Sequence, residues 1–394
     1  MRQIAVVGTS LSGFSAAQQL RAQGFDGRLV LIGDEVHLPY DRPPLSKDFL
    51  LGKVDRDALP LGEQSDFDDL EAEWRTGDRA VRLRCADAAI ELLSGDWVGV
   101  DGVVVATGAT PRRLPGTEGI AGIHTLRTLD DAAALREELT GNPQVVVIGA
   151  GFIGAEVASS CSSLGADVTV VEAAELPLVH ALGEEMASAC AELHTDHGVS
   201  VRFGVGVEEI LSAAGHVTGV RLRSGEELPA DIVVVGIGVS PNTGWLADSG
   251  LSLDDGVHCD AGGVSDLPNV VAVGDVARVH RPHLGRATRT EHWTSANTQP
   301  RAAMRNLMAG STVEQHDDVP YFWSDQYGVR IQFAGSVPPG AEARVVDGDI
   351  EDRRFLAHYE RDGELVGVLG FNHSKAFGRA RRQIAKPGLI TALS

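Results

Sequence analysis

Val145-Val-Val-Ile-Gly-Ala-Gly-Phe-Ile-Gly-Ala-Glu-Val-Ala158 is the stretch whose reading decides the fold. Val145 to Ile148 is a run of β-branched residues, the pattern of a strand covered on both faces. Gly149, Gly151 and Gly154 follow at the G-x-G-x-x-G spacing, and Ala155 to Ser163 reads as a helix opening in small residues. Gly149 permits the tight turn off the strand. Gly151 lets a pyrophosphate approach the backbone, and Gly154 lets the helix pack closely on the strand. The helix N-terminus then offers free N–H groups to the phosphates. A second strand, Val168-Thr-Val-Val171, ends on Glu172, eighteen residues after Gly154, where a ribose 2′-OH is gripped in such folds. A carboxylate there repels a 2′-phosphate, and neither Arg nor Lys follows in Ala173-Ala-Glu175, so NADH is expected over NADPH.

Outward from that stretch, a chain of 394 residues predicts two or three domains. The composition, 43% hydrophobic and 23% charged, is that of a soluble globular protein, and no apolar run is long enough for a membrane span. Met1-Arg-Gln-Ile-Ala-Val-Val7 leads straight into a strand, so no signal peptide and a cytoplasmic location are expected. A net charge of −21 argues against nucleic acid and anionic membrane as partners. Cys85, Cys161, Cys190 and Cys259 form no C-x-x-C spacing, so no metal site is expected, and Cys161 and Cys190 read as small buried hydrophobes in helices.

The N-terminal stretch Ile4-Ala-Val-Val-Gly-Thr-Ser-Leu-Ser-Gly-Phe-Ser-Ala-Ala17 repeats the central pattern. Gly8 and Gly13 hold the first and third glycine positions, and Ser10 holds the second, where its Cβ crowds the phosphate path and its hydroxyl offers a contact. The next strand, Arg28 to Ile32, leads to Asp34, twenty-one residues after Gly13. Two dinucleotide folds in one chain predict two nucleotides, a flavin and a nicotinamide. Gly102-Val-Val-Val-Ala-Thr-Gly-Ala-Thr-Pro111 and Val270-Val-Ala-Val-Gly-Asp-Val-Ala277 bracket the central fold, each a buried strand ending in a turn. They predict a flavin domain split around the nicotinamide domain. The expected architecture is α/β, with two Rossmann-like dinucleotide-binding domains (FAD and NAD) and a C-terminal α+β domain. The expected boundaries are 1–112 with 242–316, 113–241, and 317–394.

Four further segments carry a family resemblance: Leu31-Ile-Gly-Asp-Glu35, Pro39-Tyr-Asp-Arg-Pro-Pro-Leu-Ser-Lys47, Leu126-Arg-Thr-Leu-Asp-Asp131 and Tyr321-Phe-Trp-Ser-Asp-Gln-Tyr327. With them the chain resembles, over essentially its whole length, the FAD-dependent pyridine-nucleotide reductases of the glutathione-reductase-like fold. Within these it is similar to the ferredoxin reductases of oxygenase systems, of the putidaredoxin-reductase and biphenyl-dioxygenase type. The resemblance implies that Asp34 binds the adenosine ribose of FAD, and that Arg42 and Lys47 reach the flavin, Lys47 near its N5 edge. It implies that Ala80 and Arg127 contact the adenine and isoalloxazine sides, and that Asp275 and Trp293 hold the ribityl chain and the ring. It adds Gly8, Ser10, Leu11, Ser12, Gly13, Glu35, Ala106, Thr107, Gly108, Gly274 and His292 to the FAD cradle. Gly149, Gly151, Phe152, Ile153, Gly154, Glu156, Glu172 and Gly238 are implied for NADH. Glu156 is implied to face Lys47 across the hydride-transfer site, Phe152 to cover the flavin face until nicotinamide displaces it, and Trp323 to lie near the electrons' exit.

Lys47 has two readings from the residues alone: an exposed lysine at a helix start capped by Ser46, or a buried cation that stabilises charge on reduced flavin and is paired with Glu156. Disulfide reductases of this fold carry a cysteine pair where this chain has Pro43-Pro-Leu-Ser-Lys47, and peroxide and NADH oxidases of the fold a single cysteine; the missing thiol implies direct transfer from flavin to an acceptor.

Beyond Gly310, residues 320–334 read as an aromatic turn leading into a strand, Phe355 to Tyr359 and Leu365 to Leu369 as an antiparallel pair, and Ala376 to Lys386 as a basic helix. Arg278, Arg281, Arg286 and Arg289 form one basic group, and Arg379, Arg381, Arg382 and Lys386 another. They are either solvated surface charges or a ring that steers a small acidic ferredoxin, most simply a [2Fe–2S] one, serving a P450 or ring-hydroxylating oxygenase. The alternatives are another acceptor (rubredoxin, a quinone, monodehydroascorbate) or an NADH-responsive redox sensor resembling apoptosis-inducing factor.

Overall fold

The computed structural model describes residues 1–384 except Ala86 and Asp317. Its first sheet is parallel and five-stranded, in the order Val270–Ala272, Gly102–Val105, Gln3–Val7, Arg28–Gly33 and Ala72–Thr76. The valine-rich central strands are buried along their length because both faces are covered. Helices Leu11–Ala22 and Trp293–Ala309 pack on one face through Phe14, Leu20, Met304 and Leu307. On the other lie two three-stranded sheets, contributing Leu83, Ile90, Val98, Val257 and Val279. Residues 3–105 and 270–272 thus build one sheet from two distant parts of the chain.

The second sheet is also parallel, in the order Ser200–Arg202, Asp167–Val171, Gln144–Ile148, Ile232–Val235 and Ile123–His124. Helices Leu129–Glu138 and Phe152–Ser163 cover one face, and the antiparallel sheet of Val207–Ala213, His216–Leu222 and Glu227–Pro229 covers the other. The chain crosses between the two parallel sheets twice, and the crossing segments Ala109–Pro111 and Val239–Pro241 pair with each other.

The third sheet is antiparallel, in the order Tyr321–Gln326, Val329–Gly335, Glu364–Phe371, Arg354–Arg361 and Glu342–Asp349. Its inner face buries Phe333, Phe355, Tyr359 and Phe371 against Leu182, Met186, Cys190 and Leu193 from the second unit. Two expectations need correction here. The aromatic segment is not a turn before a strand but the first strand of a hairpin. Gln326 pairs with Val329 around Tyr327 and Gly328, both at positive φ, the geometry that matches strand twist in a two-residue turn. The helix expected over 376–386 runs over Ser374–Arg381, and Lys386 lies outside the described residues.

Candidate functional site

The two glycine-rich turns open onto one cavity of about 1240 Å³, walled by all three units. Both turns are set by backbone crowding. Gly8 sits at φ +108°, and a Cβ there would lie 2.1 Å from the Ala106 carbonyl oxygen; Gly149 sits at φ +102°, 2.3 Å from the Gly236 oxygen. A Cβ on Gly13 or Gly154 would strike the oxygen of Gly8 or Gly149, so each third glycine lets its helix touch its own turn. Gly151 differs: its Cβ would meet nothing within 4 Å, leaving the open space a pyrophosphate needs.

The cavity wall brings together Gly8, Ser10, Leu11, Ser12, Asp34, Glu35, Arg42, Lys47, Ala80, Ala106, Thr107, Gly108, Arg127, Asp275, His292 and Trp293. Gly151, Phe152, Ile153, Gly154, Glu156 and Gly238 join the same wall from the second unit. Gly13, Gly149, Gly274 and Glu172 do not line it. Gly274, at φ +74°, packs on Ser12 and donates its N–H to Gln299 at 2.8 Å. Glu172 accepts from the Ala150 and Ala174 amides, each at 2.9 Å, so its carboxylate braces the glycine turn.

An ionic network crosses the first unit's half of the wall. Arg42 donates to Glu35 (2.7 Å), the Arg127 carbonyl (2.7 Å) and Ser10 Oγ (3.1 Å), and Arg127 donates to Asp275 (2.8 Å). Burial, and then the nearby Arg127, push the Arg42 pKa down. Burial pushes the Tyr40 phenol up, so Tyr40 stays protonated and donates to Glu35 while accepting from the Leu129 amide. Burial also raises Asp41, against the pull of the Trp293 indole N–H, which donates to it at 2.7 Å. Three buried wall groups have no hydrogen-bond partner among the described residues: Trp245 Nε1, Arg289 Nε and His292 Nδ1. Burial holds His292 neutral, its pKa lowered to about 4. Orphan donors and acceptors of this kind, beside the open space at Gly151, fit a large polar ligand such as a dinucleotide.

Lys47 and Glu156 meet where the units join. Lys47 Nζ lies 2.9 Å from Glu156 Oε2, with the two side chains 16% and 4% exposed. The capped-helix reading of Lys47 does not hold: Pro43–Ser46 is a short 3-10 turn that Lys47 ends, and Ser46 Oγ donates to Glu156 instead. Phe152 packs on Phe322 with ring centroids 4.7 Å apart, and Phe322 on His292 at 5.1 Å. An aromatic row leaves the cavity: Trp293 lies 5.9 Å from Trp323, and Trp323 lies 5.9 Å from Tyr321. The row ends in a surface hollow, where the Arg381 guanidinium covers Tyr321 at 4.3 Å and Arg382 stands exposed.

The basic group of 278–289 is a correction. Arg278 is paired with Asp254 at 2.6 Å, Arg289 with Asp255 and Glu291, and Arg281 is buried; Arg286 is exposed. Carboxylates of the 254–255 turn reach Arg278 and Arg289, a pairing that chain order could not reveal. Sequence reasoning also missed Asp41, Ser46, Trp245, Phe322 and Ser324. Ser46 and Ser324 adjoin named residues, but no spacing relates either to Glu156. None of the four cysteines lines the cavity: Cys85 is exposed, and Cys161, Cys190 and Cys259 are buried elsewhere.

Residues 2–299 match the family model of the pyridine nucleotide-disulphide oxidoreductases, and residues 321–392 the reductase C-terminal model. Rhodocoxin reductase of Rhodococcus erythropolis is 38% identical over 97% of this chain and 89% of its own length. The 5,5'-dehydrodivanillate O-demethylase ferredoxin reductase subunit of a Sphingobium strain is 36% identical over 95% of this chain and 91% of its own. Among solved structures, the reductase of the covalent putidaredoxin reductase–putidaredoxin complex superposes with a TM-score of 0.92 at 29% identity, covering 99% of this chain and 95% of that one. The ferredoxin reductase for the CYP199A2 system of Rhodopseudomonas palustris superposes at 0.91 with 33% identity, covering 100% and 98%.

Proposed function

The chain belongs to the pyridine nucleotide-disulphide oxidoreductase family, and from that premise we infer that it binds FAD and NADH and passes electrons to a small ferredoxin serving an oxygenase. The observation that carries the reading is the aromatic row Trp293–Trp323–Tyr321, which joins a cavity free of cysteine to a surface hollow edged by Arg381 and Arg382. FAD held in this cavity would supply the chemistry, accepting hydride from NADH and giving up electrons singly to an iron–sulfur partner.

The chain's residues bind and orient. Residues 1–112 with 242–316 hold FAD: Asp34 and Ala80 receive the adenosine end, Gly8 to Gly13 the pyrophosphate, and Arg42, Asp275, His292 and Trp293 the flavin end, where Arg127 joins them from the 113–241 segment. Residues 113–241 hold NADH through Gly149 to Gly154, with Glu172 at the ribose and Gly238 beside the nicotinamide. Phe152 rests on Phe322 and yields its place to the nicotinamide ring. Lys47 presents a positive charge where negative charge develops, and Glu156 orients that ammonium at 2.9 Å, both side chains being largely out of water. The C-terminal unit flanks the partner's docking surface. A ferredoxin of [2Fe–2S] type carries surface carboxylates that Arg379, Arg381 and Arg382 would meet. Among the described residues, no helix is long and apolar enough to cross a membrane. Dependence on NADH supports a cytoplasmic location for this reading.

Anaerobic titration of the yellow protein with NADH, followed by mixing with a [2Fe–2S] ferredoxin, tests the reading. Stoichiometric bleaching and then fast reoxidation by ferredoxin are expected. A reduced state that ferredoxin leaves undischarged would move the assignment to another acceptor or to a redox sensor.

A further inference from the structure

Glu156 is 3% exposed, yet both of its oxygens are satisfied by groups from elsewhere in the chain. Oε2 accepts from Ser46 Oγ (2.5 Å) and Lys47 Nζ (2.9 Å); Oε1 accepts from Ser324 Oγ (2.7 Å) and the Asp325 amide (3.2 Å). The first two donors come from the first unit and the last two from the C-terminal hairpin, while Glu156 stands on the second unit's helix Phe152–Ser163. One buried carboxylate therefore ties all three units together at the place where hydride is to pass.

We propose that Ser324 is a positioning residue for the reduction of bound flavin by NADH, holding the Glu156 carboxylate plane so that Oε2 addresses Lys47. The proposal rests on the role given above to the Lys47–Glu156 pair. Ser324 is wholly buried, and its Oγ accepts from Gln326 Nε2 at 3.0 Å. A hydroxyl has a single proton, so with Gln326 occupying an acceptor position that proton goes to Glu156. The hairpin is itself held against the second unit. The Tyr327 amide donates to Ser159 Oγ at 2.7 Å, and Tyr327 OH meets His194 Nδ1 at 2.7 Å. Without Ser324, the weaker Asp325 amide would hold Oε1 alone, and the carboxylate could turn about its last torsion away from Lys47. The same hairpin carries Phe322 and Trp323, so the unit that faces the partner also sets the geometry on the nicotinamide side.

Ser324→Ala, Ser324→Thr and Gln326→Met, with Lys47→Met as reference, test this in the FAD-loaded protein. Anaerobic stopped flow gives the saturating rate of flavin bleaching and the NADH concentration for half-saturation; reoxidation by ferredoxin is followed separately. Hydrogen exchange of the 321–327 peptide and FAD content report on the structure without turnover. Ser324→Ala is expected to lower the saturating bleaching rate about ten-fold, the scale of one hydrogen bond to a charged group. Half-saturation and ferredoxin reoxidation should stay within about two-fold, while exchange near Asp325 speeds up. Ser324→Thr, which keeps the hydroxyl, should recover the rate, and Gln326→Met should slow it about three-fold while leaving Ser324 in place. Wild-type bleaching in both Ser324→Ala and Gln326→Met, or a Ser324→Thr protein as slow as the alanine variant, would overturn the proposal. A wild-type rate in Lys47→Met would instead remove the role of the pair itself, and Ser324's with it.

Discussion

The Lys47–Glu156 pair can be tested by a kinetic cycle of Lys47→Met, Glu156→Gln and the double variant. At 2.9 Å, two unit charges in surroundings of effective dielectric about 20 attract by about 6 kcal/mol. Desolvation of a carboxylate 4% exposed offsets much of this, several kcal/mol per ion in real proteins, and leaves a coupling of about 2 kcal/mol. In rate terms that is roughly thirty-fold. Lys47→Met should slow flavin bleaching by about a hundred-fold, because the charge facing the developing anion is gone. Glu156→Gln should slow it about thirty-fold when Lys47 is present, since the ammonium loses its fixed position, and hardly at all when Lys47 is already methionine. The assay is anaerobic stopped flow at saturating NADH, read at the flavin absorbance, with FAD content checked in every variant. Equal slowing by Glu156→Gln in the presence and absence of Lys47 would show that the two do not act as a pair, and would refute the reasoning.

Three further outcomes follow from the same geometry. Gly151→Ala places its Cβ in open space, so it should leave the melting temperature within about 2 °C while raising the NADH concentration needed several-fold; Gly154→Ala places a Cβ 2.0 Å from the Gly149 oxygen and should lower the melting temperature by several degrees, and the reverse order would be wrong for both sites. Burial lowers His194 to about 4 against a free value of 6.5, so the unfolded chain binds the extra proton between those pH values. Stability is therefore whole above about pH 6.5 and falls as pH drops toward 4, by up to about 3 kcal/mol; melts at pH 7.5 and 5 should show a smaller drop in His194→Asn than in the parent, and equal drops would remove His194 as the cause. Arg381→Glu with Arg382→Glu should raise the ferredoxin concentration for half-maximal turnover at least ten-fold at low salt and flatten its salt dependence, with NADH-driven bleaching unchanged; an unaltered salt dependence would move the docking face elsewhere.

Much of the α/β architecture is legible without coordinates because it is written locally. Val145 to Ile148 must be a doubly covered strand, and a glycine at φ +102° with a carbonyl 2.3 Å from its missing Cβ tolerates no other residue, so the turn at Gly149 announces itself by residue type. The same holds for Gly8. Local pattern fails where two segments compete on equal terms: Tyr321–Gln326 alternates too weakly to be read as a strand, and becomes one because Val329–Gly335 folds back on it around Tyr327 and Gly328. It fails again for Arg278 and Arg289, which pair with Asp254, Asp255 and Glu291.

By itself, then, the sequence determined the two nucleotide folds, their glycine turns and the want of a thiol after Pro43, since each depends on backbone sterics or residue identity within a few positions. Tertiary structure alone decided which groups satisfy Glu156. Ser46, Lys47, Ser324 and Asp325 lie more than a hundred residues from it in either direction, on two units packed separately from its own. No periodicity links them; they converge because a carboxylate buried to 3% exposure must find its hydrogen-bond donors wherever the packing of those units delivers them.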